Sequence, residues 1–152
     1  MSDLWSDGKE RAGSHVRDNG RHGVVGVVHE EGKFLVIRRS RWVRAPRMIC
    51  FPGGSIEPNE DFPTAIRREM DEELSLQVEV IKHLWSSRTA WGTNLEWMLC
   101  RRPEGQPPIP DPREVEEVFW MSREEILTHR EVLGSMPGFF ERIDRDPQWD
   151  RF

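Results

Sequence analysis

Three glutamates near the middle of the chain could hold a metal ion. Glu69, Glu72 and Glu73 stand at positions i, i+3 and i+4, which share one face if the segment is helical. Carboxylates so close together repel one another and disfavour the helix. A hard divalent cation accounts for such a face, because carboxylate oxygens suit Mg²⁺ and Mn²⁺. On spacing alone, a solvated acidic face is the alternative.

An apolar stripe runs beside these acids and positions them. Apolar residues recur every four positions on the same segment, at Phe62, Ile66, Met70 and Leu74. This spacing commits one side of the helix to a core. Asp61 is the predicted N-cap, and Pro63 is tolerated because it falls in the first turn. The carboxylates are therefore expected on a packed, immobile element.

The register of this segment is more specific than its charge. Residues 54–76 read GSIEPNEDFPTAIRREMDEELSL. Counted from Gly54, five residues precede Glu60 and seven more precede the pair Arg68-Glu69. This order resembles the Nudix box, the signature of hydrolases acting on nucleoside diphosphates linked to another group. The one departure is Ser75, which stands where the family has glycine.

The resemblance implies an α/β fold, a Nudix-type α/β/α sandwich with a mixed β-sheet. Strands that flank one helix in mid-chain, followed by a late helix, imply the same architecture. A capping-box pattern at Ser122 and Glu125 begins one late helix, and residues 137–144 form another. The predicted strands span residues 23–29, 33–38, 48–51, 76–86, 95–101 and 115–121.

The resemblance also implies a ligand set. Glu69, Glu72 and Glu73 would supply carboxylates to Mg²⁺ or Mn²⁺, and the Gly54 carbonyl would be a further ligand. The ion would neutralise charge on the phosphoryl oxygens and lower the pKa of a water molecule. Arg68 is expected to pair with one of the acids and hold it in place without touching the metal.

The general base is open between two places. Glu69 and Glu72 are the candidates on the helix, and together with Arg68 they form the predicted catalytic set. Glu116 and Glu117 lie just before an aromatic pair in the last predicted strand and are the candidates outside the box.

Arginines crowd the loop that precedes the Gly53-Gly54 turn. Arg38, Arg39 and Arg47 are predicted to bind substrate phosphates, because a guanidinium can meet phosphate with bidentate geometry. A solvated basic loop is the alternative for any one of them.

Two residue types are predicted to be buried. Trp42, Trp91 and Trp97 could each stack on a base, but core packing is the favoured interpretation. Cys50 and Cys100 fall in separate apolar runs without the spacing of a metal site. They are predicted to be buried free thiols.

Ser75 raises a question about the end of the helix. A glycine just past a helix end commonly takes the left-handed conformation. Serine there costs roughly 1–2 kcal/mol. Either the chain accepts that cost, or the helix ends in a different turn.

Length and composition indicate one folded domain. The 152 residues can bury a core of their own. Residues 1–20 lack periodicity and are predicted to be a flexible arm, with residues 21–152 forming a single Nudix domain. No apolar run reaches membrane-spanning length and no signal peptide is evident, so a cytoplasmic protein without membrane association is expected. The net charge of -5 argues against a stable nucleic-acid partner, though not against nucleotides.

The predicted function is that of a metal-dependent pyrophosphatase. It would cleave a phosphoanhydride bond in a nucleoside diphosphate linked to another group. One alternative is a non-catalytic Nudix domain that senses or binds a nucleotide. Another is an isopentenyl-diphosphate-isomerase-like enzyme, for which His22 and His29 with Cys50 form a sparse set. The diphosphate derivative and the number of metal ions are open, and a homodimer is the default soluble oligomer.

Overall fold

The structure is a computed structural model that describes residues 16–147 and residue 149. Strands and helices in this part of the chain follow the order expected from the sequence, except that β4 was not predicted. They are β1 (His22–Glu30), β2 (Lys33–Arg39), β3 (Ile49–Cys50), β4 (Gly53–Ser55), α1 (Phe62–Leu74), β5 (Glu79–Arg88), β6 (Asn94–Arg101), β7 (Val115–Ser122), α2 (Arg123–Thr128) and α3 (Ser135–Asp144).

The described strands form one seven-stranded mixed sheet. Its main path has the order β3-β2-β1-β6-β5, with β4 beside β1 and β7 beside β2. β1 and β6 run parallel, whereas the other paired strands run antiparallel. The predicted mixed sheet is therefore confirmed.

β1 changes its partner along one edge. Its end pairs with β2, where His29 lies opposite Phe34, while its start pairs with β4, where Val24 lies opposite Gly54. The other edge of β1 is occupied by β6. β2 and β4 pair with different parts of the same edge of β1, so the two strands separate from each other. The cleft described below lies between them.

Helices cover both faces of the sheet. A Cβ on Gly26 of β1 would lie 3.0 Å from Ile66 Cδ1 and 3.2 Å from Met70 Sδ, so α1 packs closely on this face. Neighbouring strand positions face the opposite side. There, Trp97 of β6 stacks on Phe139 of α3 with ring centroids 5.0 Å apart. The α1, sheet and α3 layers form the predicted α/β/α sandwich.

α1 is fixed by its apolar stripe and its cap, as predicted. Ile66, Met70 and Leu74 are each 0% exposed. Complete burial of one such side chain contributes roughly 1.5–3 kcal/mol. The Asp61 carboxylate accepts a hydrogen bond from the Thr64 N–H at 2.8 Å, which satisfies a donor of the first turn. The helix therefore has little freedom to shift relative to the sheet.

Ser75 keeps the left-handed conformation, so the alternative of a different turn is wrong. Its φ is 53°. The Ser75 N–H donates to the Asp71 carbonyl at 2.9 Å, and the Leu76 N–H donates to the Met70 carbonyl at 3.3 Å. These bonds satisfy carbonyls that the helix end would otherwise leave open. The capping geometry is retained at the conformational cost of a serine.

The predicted strand beginning at Leu76 starts three residues later, at Glu79. Two N–H groups that a strand would use are committed elsewhere. The Leu76 N–H bonds the helix end, and the Gln77 N–H donates to Gln106 Oε1 at 2.8 Å. Leu76 is nevertheless fully buried, so it belongs to the core without belonging to the sheet.

The late helices follow the sequence signals. The capping box is present, with Ser122 and Glu125 bonding each other's backbone N–H groups. The helix predicted at residues 137–144 begins at Ser135, because Pro137 is tolerated within a first turn.

Burial separates the three tryptophans and confirms the two thiols. Trp97 is 0% exposed, but Trp42 is 71% and Trp91 is 42% exposed, so core packing was wrong for these two. Trp42 lies in the loop between β2 and β3, and Trp91 lies in the turn between β5 and β6, so both are outside the layers of the sandwich. Cys50 and Cys100 are buried free thiols, as predicted. Burial raises the pKa of the Cys100 thiol to about 12.

Part of the predicted N-terminal arm contacts the sheet. Residues 1–15 lie outside the described residues, whereas residues 16–20 lie beside the β5–β6 turn. The Asn19 N–H donates to the Gly92 carbonyl at 3.0 Å, and the Arg88 guanidinium donates to the Val16 carbonyl at 2.8 Å. The division at residue 20 stays a prediction.

No helix in the described part of the chain is long and apolar enough to span a membrane. The longest of them, α1, has 13 residues, against about 20 for a span.

Replacing Ser75 with glycine should stabilise the protein. Glycine adopts the left-handed conformation without the serine's cost of roughly 1–2 kcal/mol, but loses about 0.5–1 kcal/mol of additional backbone entropy on folding. We expect Ser75→Gly to raise the free energy of unfolding by about 0.5–1 kcal/mol, measured by urea denaturation. Ser75→Ala, which keeps the Cβ and removes the hydroxyl, is the control and should bring no gain. Equal stabilities for wild type and Ser75→Gly would contradict this account.

Candidate active site

A polar cleft of about 180 Å³ opens where β2 and β4 diverge above α1. Glutamates dominate its wall, so the cleft concentrates negative charge. Its lining residues are Ile37, Arg39, Val43, Gly53, Ser55, Glu57, Arg68, Glu69, Glu72, Glu73 and Glu114.

Three of these glutamates converge on one point. Glu69, Glu73 and Glu114 each place a carboxylate oxygen so that the three atoms lie within 4.8 Å of one another. Glu69 is 7% and Glu73 is 6% exposed, and Glu114 is partly buried. We call this set the glutamate cluster. Its members can all reach one cation.

The Gly53-Gly54 turn is shaped to receive two of these carboxylates. A Cβ on Gly54 would lie 2.4 Å from the Glu69 carboxyl carbon, so any larger residue would expel that side chain. The Gly53 N–H donates to Glu73 Oε2 at 3.3 Å. Gly54 therefore lies directly against the cluster, and its predicted role as a carbonyl ligand stays a prediction.

Glu114 reaches the cluster from a turn before β7. The Glu114 N–H donates to the Asp111 carbonyl at 3.0 Å, which closes a turn with aspartate first and Pro112 second. The Asp111 N–H donates to the Glu73 carbonyl at 2.9 Å, so the turn is attached to α1. Sequence reasoning missed Glu114. The Asp-Pro-Arg-Glu turn was a visible local signal, but it does not reveal which helix the turn meets.

Glu116 and Glu117 do not line the cleft. Glu116 lies 3.2 Å from a terminal nitrogen of Arg47, and Glu117 lies 3.9 Å from Arg38 Nε. Arg38 also pairs with Glu131 at 3.4 Å. The Arg38–Glu117 pair joins β2 to β7, and each of the other two pairs joins one of these strands to a loop. Neither Arg38 nor Arg47 lines the cleft.

Arg39 is the member of the predicted phosphate-binding set that lines the cleft. Successive strand residues face opposite sides, so Arg38 and Arg39 point apart. Arg39 is 6% exposed, and its Nε donates to the Arg44 carbonyl at 2.7 Å. Burial raises the pKa of the Glu73 and Glu114 carboxyls, and the positive charge of Arg39 offsets part of that rise.

Arg68 holds Glu69 in place through an extended set of bonds. Its guanidinium binds both Glu60 oxygens at 2.8 Å and donates to the Ser55 carbonyl at 2.8 Å. Its third nitrogen donates to Glu69 Oε1 at 3.0 Å. The guanidinium thereby links β4 and the loop before α1 to a cluster carboxylate. This geometry is that of an orienting residue.

Glu72 lies apart from the glutamate cluster. Its side chain is 53% exposed and lies 3.3 Å from Arg68. It lines the cleft but does not share the point at which the other three glutamates meet. Helical spacing predicted Glu69, Glu72 and Glu73 as one group, yet only the i and i+4 positions face the Gly53-Gly54 turn.

Burial raises the pKa of all three clustered carboxyls. It brings the pKa of Glu69 to about 7, against the lowering effect of the Arg68 charge. Burial and the charges of Glu69 and Glu114 hold the pKa of Glu73 well above its usual range. The pKa of Glu114 is also raised, first by burial and then by nearby acids. Buried oxygen ligands whose charge is so poorly compensated fit a divalent cation.

Comparison with known sequences supports the identification of the box. A model of the NUDIX domain matches residues 20–142. The chain is 29% identical over 90 residues to the NAD-capped RNA hydrolase NudC of Deinococcus radiodurans, covering 59% of this chain and 31% of that protein. It is 33% identical over 119 residues to the peroxisomal coenzyme A diphosphatase NUDT7 of Mus musculus, covering 71% and 49%. The matched region is thus about a third to a half of each relative.

Comparison with solved structures extends the similarity to the whole fold. The MutT protein from Methanosarcina mazei Go1 superposes with a TM-score of 0.72, covering 88% of this chain and 98% of that one. The two sequences are 22% identical, so this likeness concerns the fold alone. The NUDIX match, by contrast, spans more than half of the chain and includes β1, the box, α1 and Glu114. The chain therefore belongs to the Nudix family.

Proposed function

We propose that the chain is a metal-dependent pyrophosphatase that cleaves a phosphoanhydride bond in a nucleoside diphosphate linked to another group. The observation that carries this proposal is the glutamate cluster, with three oxygens within 4.8 Å inside a cleft. Nudix proteins typically use a divalent metal, and this cluster could bind one. We propose Mg²⁺ as the ion, with Mn²⁺ as a substitute, because both prefer oxygen ligands.

The glutamates differ in burial and position, and these differences suggest a different role for each in the reaction. Glu69, Glu73 and Glu114 would hold the cation, since their oxygens converge. When bound, the cation supplies positive charge for the phosphate oxygens and makes water easier to deprotonate. Glu72 lines the cleft outside the cluster and is 53% exposed. We therefore assign Glu72 as the proton acceptor.

The proposed reaction is the attack of water on a phosphorus atom. A water oxygen would form a bond to phosphorus, the bond from phosphorus to the bridging oxygen would break, and Glu72 would take the water's proton. Two arginines would position the reacting groups. Arg68 keeps the Glu69 carboxylate fixed during this step. Arg39, which also lines the cleft, would meet a substrate phosphate. Little further covalent chemistry is required of the protein in such a transfer.

We base the proposed substrate class on the proposed metal site and on the relatives. One relative is named for NAD-capped RNA and another for coenzyme A. NAD and coenzyme A both contain adenosine diphosphate linked to a second group. We propose a small substrate of this general kind. We further propose a cytoplasmic protein with no stable nucleic-acid complex and a homodimeric assembly.

The alternatives draw less support from the structure. A cysteine-dependent isomerase needs an accessible thiol, but Cys50 is 1% exposed. His22 is engaged by Glu96 at 2.6 Å, and His29 packs on Phe34 with ring centroids 4.5 Å apart. A non-catalytic nucleotide-binding domain would retain binding and release no phosphate, which the turnover experiment below distinguishes.

Divalent metal should stabilise the folded chain through the glutamate cluster. Mg²⁺ at about 100 times its dissociation constant adds roughly 2.7 kcal/mol, which corresponds to about 5–10 °C in a domain of this size. We expect this rise in Tm for the wild type in differential scanning fluorimetry, compared with sodium chloride at equal ionic strength. Glu73→Gln should fold and lose the rise. An equal rise in Glu73→Gln would place the metal elsewhere.

Substitution of either of two cleft glutamates should reduce turnover, and the effect of Mg²⁺ on Tm should distinguish the two variants. Substrates would be NADH, ADP-ribose and coenzyme A, with phosphate-containing products resolved by chromatography. Glu114→Gln should reduce kcat/KM by about 10²–10⁴-fold and also lose the Mg²⁺-dependent rise in Tm. Glu72→Gln should reduce kcat by a similar factor and keep that rise. Glu117→Gln, on the neighbouring strand, is the matched control and should stay near wild type. No turnover by the wild type with any substrate under Mg²⁺ or Mn²⁺ would refute the proposed activity.

Arg68→Lys should separate orientation from charge. Lysine keeps the positive charge but cannot bond Glu60, Ser55 and Glu69 with the same fork. We expect kcat to fall by about 10–100-fold, as for residues that support a metal ligand, with KM changed little. Arg67→Lys, one position earlier on α1, is the control. A wild-type kcat in Arg68→Lys would show that Glu69 needs no such support.

A further inference from the structure

Trp42 is the most exposed of the large hydrophobic residues that the structure describes. Its exposed fraction is 71%, compared with 42% for Trp91 and 0% for Trp97. An indole left in water forgoes the burial that usually makes tryptophan favourable. A ligand bound in the cleft is a candidate to cover this indole, because Val43, the next residue, lines the cleft.

The loop that carries Trp42 is held firmly at its neck. We call residues 40–48 the arginine loop. The Arg39 N–H donates to the Met48 carbonyl, and the Arg47 N–H donates to the Arg39 carbonyl, both at 2.9 Å. Arg39 Nε crosses the loop to the Arg44 carbonyl at 2.7 Å. Trp42 is thus exposed on a structured loop, since its flanking backbone is bonded on both sides.

The arginine loop is also attached to the turn that bears Glu114. The Ser40 N–H donates to the Glu114 carbonyl at 2.9 Å, and Ser40 Oγ donates to the Arg113 carbonyl at 2.7 Å. The Trp42 N–H in turn donates to Ser40 Oγ at 3.3 Å. The backbone of Trp42 is therefore connected to a member of the glutamate cluster through a single serine.

The arginine loop stores backbone strain. Ala45 has a φ of 49° and Arg47 a φ of 64°, although neither is glycine. Left-handed non-glycine residues are conformationally unfavourable and concentrate at ligand clamps. Glycine at either position would relieve that cost but soften the loop. The retained strain is consistent with a loop whose shape matters for binding.

The position of Trp42 relative to the cleft defines what it can meet. Arg39 and Val43 line the cleft, so Trp42 adjoins one of its walls in sequence. The Arg41 guanidinium lies over the Trp42 ring, 4.5 Å from its centroid. Even with Arg41 there, 71% of Trp42 stays exposed, which leaves surface for a second planar group. A planar aromatic ligand gains stacking from the indole and a cation–π contact from an arginine.

We propose that Arg41 and Trp42 form a platform for the heteroaromatic base of the substrate, while its diphosphate binds the cation that the glutamate cluster would hold. The diphosphate end of this arrangement rests on the proposed function. The platform commits the substrate to a nucleotide and favours no particular base, because every base offers a stacking face. It would also account for the exposure of Trp42 although Ala45, on the same loop, is buried.

Equilibrium binding tests the platform without relying on turnover. Isothermal titration calorimetry in Mg²⁺ would compare ADP and UDP, which carry a base, with inorganic pyrophosphate, which carries none. We expect Trp42→Ala to weaken ADP and UDP binding by about 5- to 100-fold and to leave pyrophosphate binding unchanged. Trp42→Phe should restore most of the affinity. Trp91→Ala, another exposed tryptophan, is the matched control and should bind all three as the wild type does.

The possible outcomes separate the platform from the proposed activity. ADP binding that depends on Trp42, in a protein with no turnover, would sustain the platform and remove the hydrolase. Turnover with an unchanged KM for ADP-ribose in Trp42→Ala would sustain the hydrolase and overturn the platform. Wild-type protein that binds pyrophosphate but neither nucleotide would overturn the platform too. Loss of self-association in Trp42→Ala, with nucleotide affinity intact, would reassign the side chain to an interface and also overturn it.

Discussion

The repulsion among three clustered carboxylates, two buried and one partly buried, is the constraint on which the rest of the structure depends. Glu69, Glu73 and Glu114 meet within 4.8 Å, in surroundings that raise the pKa of each. Such a group separates unless the backbone behind every member is held. Apolar packing of α1 holds two of them against the Gly53-Gly54 turn. A loop from elsewhere in the chain must hold the third.

Hydrogen bonds at the C-terminal end of α1 hold the loop that carries Glu114. The last carbonyls of α1 accept hydrogen bonds from the loop between β6 and β7, with the Ile109 N–H donating to Leu74 at 2.7 Å and the Asp111 N–H donating to Glu73 at 2.9 Å. Glu73 therefore has two roles. Its side chain joins the cluster, and its backbone carbonyl accepts the hydrogen bond that attaches the turn carrying Glu114. A loop without regular secondary structure becomes rigid because the helix end supplies acceptors that need partners. The hydrogen bonds that satisfy the end of α1 are therefore the same bonds that position the turn carrying Glu114.

Local patterns predicted what local interactions decide. The cap at Asp61, the apolar stripe of α1 and the capping box at Ser122 were all readable, since each depends on residues within one or two turns. Glu114 was not, because its position depends on a contact between α1 and a loop far along the chain. Glu72 was grouped with its neighbours because helical spacing gives a shared face, whereas the narrow approach of Gly54 selects only part of that face. Trp42 was expected in the core because composition carries no information on which loop lacks a covering layer.

The glutamate cluster and the arginine loop differ in how much substitution they can absorb. At the cluster, a single added Cβ at Gly54 would come 2.4 Å from the Glu69 carboxyl carbon, so backbone and side chain exclude larger residues. On the arginine loop, Trp42 is 71% exposed, so its replacement removes little packed surface. Substitutions there leave the cluster's geometry intact because Ser40 and Arg39, not the indole, hold the arginine loop in place. The glutamate cluster is therefore built into the packed part of the fold, whereas Trp42 lies on an exposed, strained loop.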